Sequence, residues 1–250
     1  MKKNLKAEAA LGRNTYGMYI TMADASIIEM AAYAGFDFVR IDCEHYLYSA
    51  ETLVSMIGMA NAMGLAVHIR VGSVNEITRV LEAGADGVIV PHVSTREAAI
   101  AAVKATKFSP LGERGMYNGY RCLKYGQIKD TEYIQDANNS VLLTIQIEDQ
   151  EALNNIDSIL SVNGIDMVSS GKSDLSQSLG YIGESSHPAV LAAEDYIAKK
   201  ASEHGVYPSF LASSADRISH LQELGVHSFT VSRDRKILID GMASTIKKYR

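Results

Sequence analysis

The chain has 250 residues, 47% of them hydrophobic and 21% charged, and its formal net charge is −5. That composition excludes a disordered chain or a coiled coil, and the negative balance argues against a nucleic-acid or anionic-membrane surface. No apolar run approaches the ~18 residues of a membrane span. The basic start Met1-Lys2-Lys3 lacks the apolar stretch of a signal peptide, because Lys6, Glu8, Arg13 and Asn14 interrupt it. Cys43 and Cys122 stand far apart without C-x-x-C spacing. A reducing, cytoplasmic setting is therefore expected.

One phrase recurs along the chain: a helix-like stretch, a glycine, then a short apolar run. It appears at Ala34-Gly35-Phe36, Met63-Gly64-Leu65, Ala83-Gly84-Ala85, Asn163-Gly164-Ile165, His204-Gly205-Val206 and Leu224-Gly225-Val226. Glycine just past a helix supplies the left-handed conformation that ends it. The apolar runs are too short for helices and are bounded by turn residues, so they read as buried strands. The pattern predicts strands near 16–22, 36–42, 65–71, 87–93, 141–148, 167–171, 207–212 and 228–233. Helices are expected over 24–34, 49–63, 74–83, 95–106, 150–162, 188–204, 214–223 and 235–249, several capped by Asp24, Ser49, Ser73, Ser94 and Ser214. Eight strands alternating with eight helices predict a single (β/α)8 TIM barrel over 1–250. An open doubly wound sheet is the rival. It would carry a glycine-rich phosphate loop after the first strand, where Met22-Ala23-Asp24-Ala25 stands instead. Segment 107–140 reads as one long loop, and 171–187 as a shorter irregular stretch.

Functional groups of such a barrel sit at the C-terminal ends of its strands. The second strand ends Arg40-Ile41-Asp42 and is followed by Cys43-Glu44-His45; the third ends His68-Ile69-Arg70. The fifth ends Gln146-Ile147-Glu148, and the sixth leads into Gly171-Lys172-Ser173-Asp174. Asp42, His45, Arg70, Gln146, Glu148 and Asp174 are therefore expected on one rim. Charges ending apolar runs are costly to bury unless paired or bound to a ligand. Individually, Arg70 reads as readily as a bridge to Glu148 or Asp174, His45 as a surface histidine, and the carboxylates as helix caps. Together they suit a divalent ion and an anionic oxo compound.

At these residues the chain resembles the HpcH/HpaI aldolases. Asp42-Cys43-Glu44-His45 looks like that family's D-x-E-H signature. His68-Ile69-Arg70, the run Ala83 to Pro91, Gly112-Glu113-Arg114-Gly115, Gln146-Ile147-Glu148 and Ser173-Asp174-Leu175-Ser176 follow in the family's order. The resemblance implies a metal-dependent barrel, usually hexameric, that cleaves or forms 4-hydroxy-2-oxo acids with pyruvate as the enolate partner and an aldehyde as the other. A citrate-forming or acyl-CoA lyase reaction on the same site, or a non-catalytic metabolite-binding barrel, are the alternatives. Three departures stand out: Lys172 replaces a proline, Tyr46-Leu47-Tyr48 follows the histidine where small residues are common, and His92 follows Val90-Pro91 where an apolar residue is more usual. The tyrosines are expected to act on the choice of acceptor.

Glu148 and Asp174 are hard oxygen ligands, which suit Mg²⁺ or Mn²⁺, with Co²⁺ as a further option, and leave room for water and substrate. Arg70 is expected to donate to the keto oxygen, and main-chain N–H groups around Ser173 and Asp174 to hold the substrate carboxylate. His45 is expected to serve as base, with Asp42 fixing its tautomer and Gln146 orienting a water. A Schiff-base route would rest on Lys172 alone.

Overall fold

The computed structural model describes residues 2–117 and 119–250. Met1, the start of the basic N-terminal stretch, and Asn118, within segment 107–140, lie outside them. Eight parallel strands, β1 (Thr15–Ile20), β2 (Phe38–Asp42), β3 (Ala66–Arg70), β4 (Gly87–Val90), β5 (Leu142–Ile147), β6 (Met167–Ser170), β7 (Tyr207–Leu211) and β8 (Ser228–Arg233), close into a barrel in sequence order. The helices are α1 (Leu5–Ala10), α2 (Ala25–Tyr33), α3 (Ala50–Ala62), α4 (Ile77–Glu82), α5 (Arg96–Thr106) and α6 (Asp130–Ser140). After β5 come α7 (Gln150–Asn154), α8 (Ile156–Leu160), α9 (Lys172–Ser178), α10 (Pro188–Glu203), α11 (Ala215–Glu223) and α12 (Asp234–Ile246). No helix among the described residues is long and apolar enough to cross a membrane.

The period of two along each strand explains how one sheet builds two environments. Val39, Ile41, Val67, Ile69, Leu143, Ile145, Ile147 and Val168 join helix residues such as Ile28, Met56, Ile57 and Ile197 in the main apolar core. The alternate positions belong to the barrel interior. Its lower end is a small separate cluster of Phe38, Ala66, Leu142 and Met167, the first residues of four strands, closed by Leu5 of α1. Its midsection is polar, with Arg40, His68, Thr144, Ser169, Ser209, Ser228 and Thr230 all buried. Gly17 of β1 is needed at the lower end, because a Cβ there would collide with the Phe38 ring.

The structure differs from the sequence expectation in several elements. Helix α1 was not anticipated; its six residues make little sense as an isolated helix and are held by the barrel floor. Segment 107–140 is not one loop: a 3-10 turn covers Arg121–Gly126 and α6 follows, polar on most of its surface. The irregular stretch after β6 contains α9. The helix expected over 150–162 breaks at Asn155, whose side chain donates to the Ser94 carbonyl. Asp24, Ser49 and Ser214 cap helices as expected. Ser94 does not: Thr95 caps α5, and the Ser94 hydroxyl donates to Asp149. Ser73 precedes a 3-10 turn without a side-chain cap bond.

Below the barrel a buried ion pair ties the long segment to the sheet. Lys107 Nζ lies 2.7 Å from Asp166 Oδ2 and also donates to the carbonyls of Val141 and Asn138. Asp166, just before β6, accepts in addition from Lys6 of α1 and from the Leu143 N–H. Burial lowers the Lys107 pKa, an effect that Asp166 opposes. Removing one partner of such a pair strands a buried charge. Asp166→Ala should therefore cost about 3–5 kcal/mol of stability, read from urea unfolding curves.

Candidate active site

The C-terminal ends of the strands surround a cavity of about 230 Å³ whose lining includes Asp42, His45, Arg70, Gln146, Ser173 and Asp174. Asp42 and Arg70 are directly paired across β2 and β3. The register fixes their partnership: Arg70 Nε donates to Asp42 Oδ1 at 3.0 Å and its terminal nitrogen to Oδ2 at 2.6 Å. The other terminal nitrogen lies 3.1 Å from Glu44 Oε2. Arg70 thus bridges Asp42 and Glu44, not Glu148 or Asp174. Burial pulls its pKa down, but the bonds to Asp42, with Tyr19 and Glu44 nearby, outweigh this and raise it. Of its five N–H groups, two remain beyond these three contacts.

Asp42 does not reach the His45 ring. Its Oδ1 accepts from the main-chain N–H groups of Glu44 and His45, and so shapes the turn that carries the histidine. The tautomer role expected for Asp42 is corrected accordingly: the register pairs it with Arg70 on the same face of the sheet, and the guanidinium takes both of its oxygens. The carboxylate nearest the ring is Glu44, with Oε2 3.5 Å from His45 Nε2. His45 itself is exposed at the cavity mouth.

Glu148 follows β5 and is buried. Gln146, two residues earlier on the same face, donates through Nε2 to Glu148 Oε2. Its amide thus orients the carboxylate itself, where the sequence suggested a water. The other oxygen, Oε1, accepts the main-chain N–H of His92 at 2.6 Å and lies 2.8 Å from His92 Nδ1. Burial raises the Glu148 pKa; His92 and Gln146 oppose the shift, while Glu44 adds to it. Gly171, between β6 and α9, makes the packing possible: a Cβ there would collide with Glu148 Oε2 and Gln146 Nε2. Asp174, in the first turn of α9, has no hydrogen-bond or ion-pair partner among the described residues. Glu148, a buried carboxylate oriented from two sides, is not itself among the residues that line the cavity, whereas Asp174, without a partner, is; each is an oxygen donor of the kind a hard divalent ion takes.

Sequence reasoning missed three participants. Glu44 was noted only as part of a motif, yet it touches Arg70, His45 and His92. His92 carries φ of +55°, a left-handed conformation that costs a non-glycine residue about 1–3 kcal/mol. Arg40 was passed over inside an apolar run, although it shares the parity of Asp42. It is buried on the cavity floor, bonded to the Ser209 hydroxyl and facing Tyr19 and Phe38, and burial lowers its pKa. Other candidates recede. Cys43 is pushed up to about 12 by burial and by the charges of Glu76 and Asp42, so its thiol stays protonated. Lys172 lines the cavity but donates to the Leu211 carbonyl and lies near buried Glu194. Of the two tyrosines expected to act on the acceptor, Tyr46 lines the cavity, whereas the Tyr48 hydroxyl donates to the Ile20 carbonyl and Tyr48 does not line it.

The chain is similar in sequence and fold to known proteins. The chain is 34% identical over 240 residues to the hydroxypyruvate/pyruvate aldolase of Sagittula stellata, covering 95% of this chain and 86% of that protein. It is 32% identical over 242 residues to the 4-hydroxy-2-oxo-heptane-1,7-dioate aldolase of Escherichia coli, covering 95% and 91%. The crystal structure of an HpcH/HpaI aldolase from Desulfitobacterium hafniense superposes with a TM-score of 0.92 at 29% identity, covering 98% of this chain and 96% of that one. Residues 15–241, which span every strand and every rim residue described above, match the family described as HpcH/HpaI aldolase/citrate lyase, and the chain belongs to that family.

Proposed function

We propose that this aldolase cleaves a 4-hydroxy-2-oxo acid to pyruvate and an aldehyde, using a divalent cation, Mg²⁺ or Mn²⁺ with Co²⁺ as a further option, at Glu148 and Asp174. The observation that carries the reading is the convergence on one rim of an oriented, buried carboxylate with an arginine whose remaining donors are free for an oxyanion. When bound, the cation supplies Lewis acidity toward the carboxylate and keto oxygens of the 2-oxo acid.

The protein's own groups do the rest. Gln146 and His92 hold the Glu148 carboxylate in one orientation. Asp42 and Glu44 hold the Arg70 guanidinium, so its two spare N–H groups are preorganised for the keto oxygen, where negative charge grows as the C3–C4 bond breaks. The first turn of α9, with Ser173 and Asp174, completes the pocket for the substrate carboxylate. His45, at the mouth, takes the proton of the C4 hydroxyl as the aldehyde carbonyl forms. A homo-oligomer, a hexamer as in the family, is supported by the row of exposed apolar side chains on and beyond α12, including Ile239, Met242, Ile246 and Tyr249.

The primary test is exchange of the pyruvate methyl protons in D2O with and without added Mg²⁺ or Mn²⁺. Cation-dependent exchange is expected; its complete absence would favour a binding protein. Glu148→Gln keeps the shape but removes a charge, so cation affinity and turnover should fall together, and activity in the unmodified protein that resists chelation would overturn the cation's role. Arg70→Lys should bind the cation but lose exchange and aldol cleavage in parallel by roughly 10²–10³-fold, because a point charge cannot present the planar fork. Near-normal exchange in that variant would reduce Arg70 to a partner of Asp42. His45→Ala should slow cleavage by about 10²–10⁴-fold while sparing exchange; equal losses in the two assays would remove it as the base.

A further inference from the structure

The His92 imidazole lies between two carboxylates that belong to different strand ends. Its Nδ1 is 2.8 Å from Glu148 Oε1, and its Nε2 is 2.9 Å from Glu44 Oε1. One ligand atom from each of Glu44, His92 and Glu148 falls within 4.8 Å of the others, a spacing that could hold a metal ion. Two further observations concern the same network. Glu44 Oε2 is buried without a hydrogen-bond partner, although Arg70 is close, and Gln146 Oε1 is likewise buried and unpartnered. The left-handed backbone at His92 is the third, because it lets the residue's own N–H and its ring address the same Glu148 oxygen.

The geometry points to His92 as a nitrogen ligand of the cation at Glu148, with Glu44 on the far ring nitrogen as its orienting carboxylate, and hence to a centre that prefers imidazole-accepting transition-metal dications over Mg²⁺. This rests on the reading of Glu148 as a cation ligand and deepens it. A histidine that offers one nitrogen to a metal and the other N–H to a carboxylate is a recurrent arrangement, since the carboxylate fixes tautomer and ring angle together. Here Glu44 is itself fixed, pinned by Arg70 at 3.1 Å. Nitrogen donation changes the selectivity. Mg²⁺ favours oxygen and water, whereas Co²⁺, Ni²⁺ and Zn²⁺ accept imidazole readily. A site of Glu148 and Asp174 alone lacks that bias.

The test uses the intact protein loaded with Mn²⁺ and read by pulsed electron paramagnetic resonance, which detects a directly bound imidazole through its ¹⁴N coupling. Coupling is expected in the unmodified protein and should vanish in His92→Asn, a substitution suited to the left-handed backbone. In calorimetric titrations with Co²⁺ and with Mg²⁺, the same variant should lose Co²⁺ affinity at least as strongly as loss of an outer carboxylate partner does, about 10–100-fold, with a smaller loss for Mg²⁺. Absence of ¹⁴N coupling in the unmodified protein overturns the inference whether or not the variant folds, as does an equal loss for both ions. If coupling is absent while Glu148→Gln still abolishes Mn²⁺ binding, the proposed cation centre stands and only the role of His92 falls. If no Mn²⁺ or Co²⁺ binds at all, both fall.

Discussion

The pairing of Arg70 with Asp42 and Glu44 is the constraint on which the site depends. Its two partners come from the end of β2 and the turn beyond it, so one guanidinium locks β2, β3 and the start of the His45 turn together. Glu44 passes the constraint to His92, and His92 to Glu148, so the ends of β2 through β5 become one connected polar network. The connected charges do not balance. With His92 neutral, Asp42, Glu44 and Glu148 set three carboxylates against one guanidinium at a largely buried strand end. Burial of unbalanced charge is unfavourable unless something of opposite sign joins it, and Asp174 adds a fourth carboxylate across the cavity. A divalent cation is the simplest partner for such a network.

Beneath the acidic rim the barrel interior runs the other way. Arg40 is buried with Ser209 as its hydrogen-bond partner, and two arginines face the ring of Tyr19, Arg70 at 5.3 Å and Arg40 at 6.0 Å. The ring's negative face accepts both cations and holds them apart. His68, paired in register with Arg40 across β2 and β3, cannot add a third positive charge, since burial, with Arg40 and Lys2 nearby, pushes its pKa down to about 3. The interior therefore stays positive on one side of the cavity and negative on the other. A 2-oxo acid carries a carboxylate beside a polarisable keto group, which matches that division.

Much of this was legible before any coordinates. Apolar runs ended by polar residues located the strands, and glycines after helices located their turns, because both signals are local and act through φ/ψ limits and burial. Polar residues at the ends of apolar runs pointed to Asp42, Arg70 and Gln146, which line the cavity, and the period of two carried back from Asp42 exposes Arg40 as well. What could not be read depends on register and backbone shape. Asp42 and His45 are three apart in sequence, which suggested a side-chain contact; the pairing of β2 with β3 instead aims Asp42 at Arg70. The link from His92 to Glu148 requires a left-handed turn at a histidine, which no propensity anticipates. Helix α6 escaped because its exposed face leaves little apolar periodicity, and α1 because six residues become helical only against the barrel floor.

Depth in the cavity also separates two tasks. Arg70 and Glu148 are buried or nearly so and are held by groups at neighbouring strand ends, and buried Gln146 is bonded to Glu148; their geometry can vary little without disturbing the barrel. His45, Tyr46, Ser185 and Arg233 lie on loops or at a strand's end around the mouth, and His45 is open to solvent. The half of the substrate that becomes pyruvate needs fixed donors, because charge develops there and donors that must reorganise stabilise it poorly. The half that leaves as an aldehyde needs only a base near its hydroxyl and a wall of suitable shape. Tyr46 lines the mouth and rests against the Arg235 guanidinium at 5.0 Å, so its position is tied to α12 and not to the rim network. Changes at the mouth can therefore alter the aldehyde without touching the enolate chemistry, and a rigid inner site with a variable outer one is what a barrel with loops at its C-terminal face is built to provide.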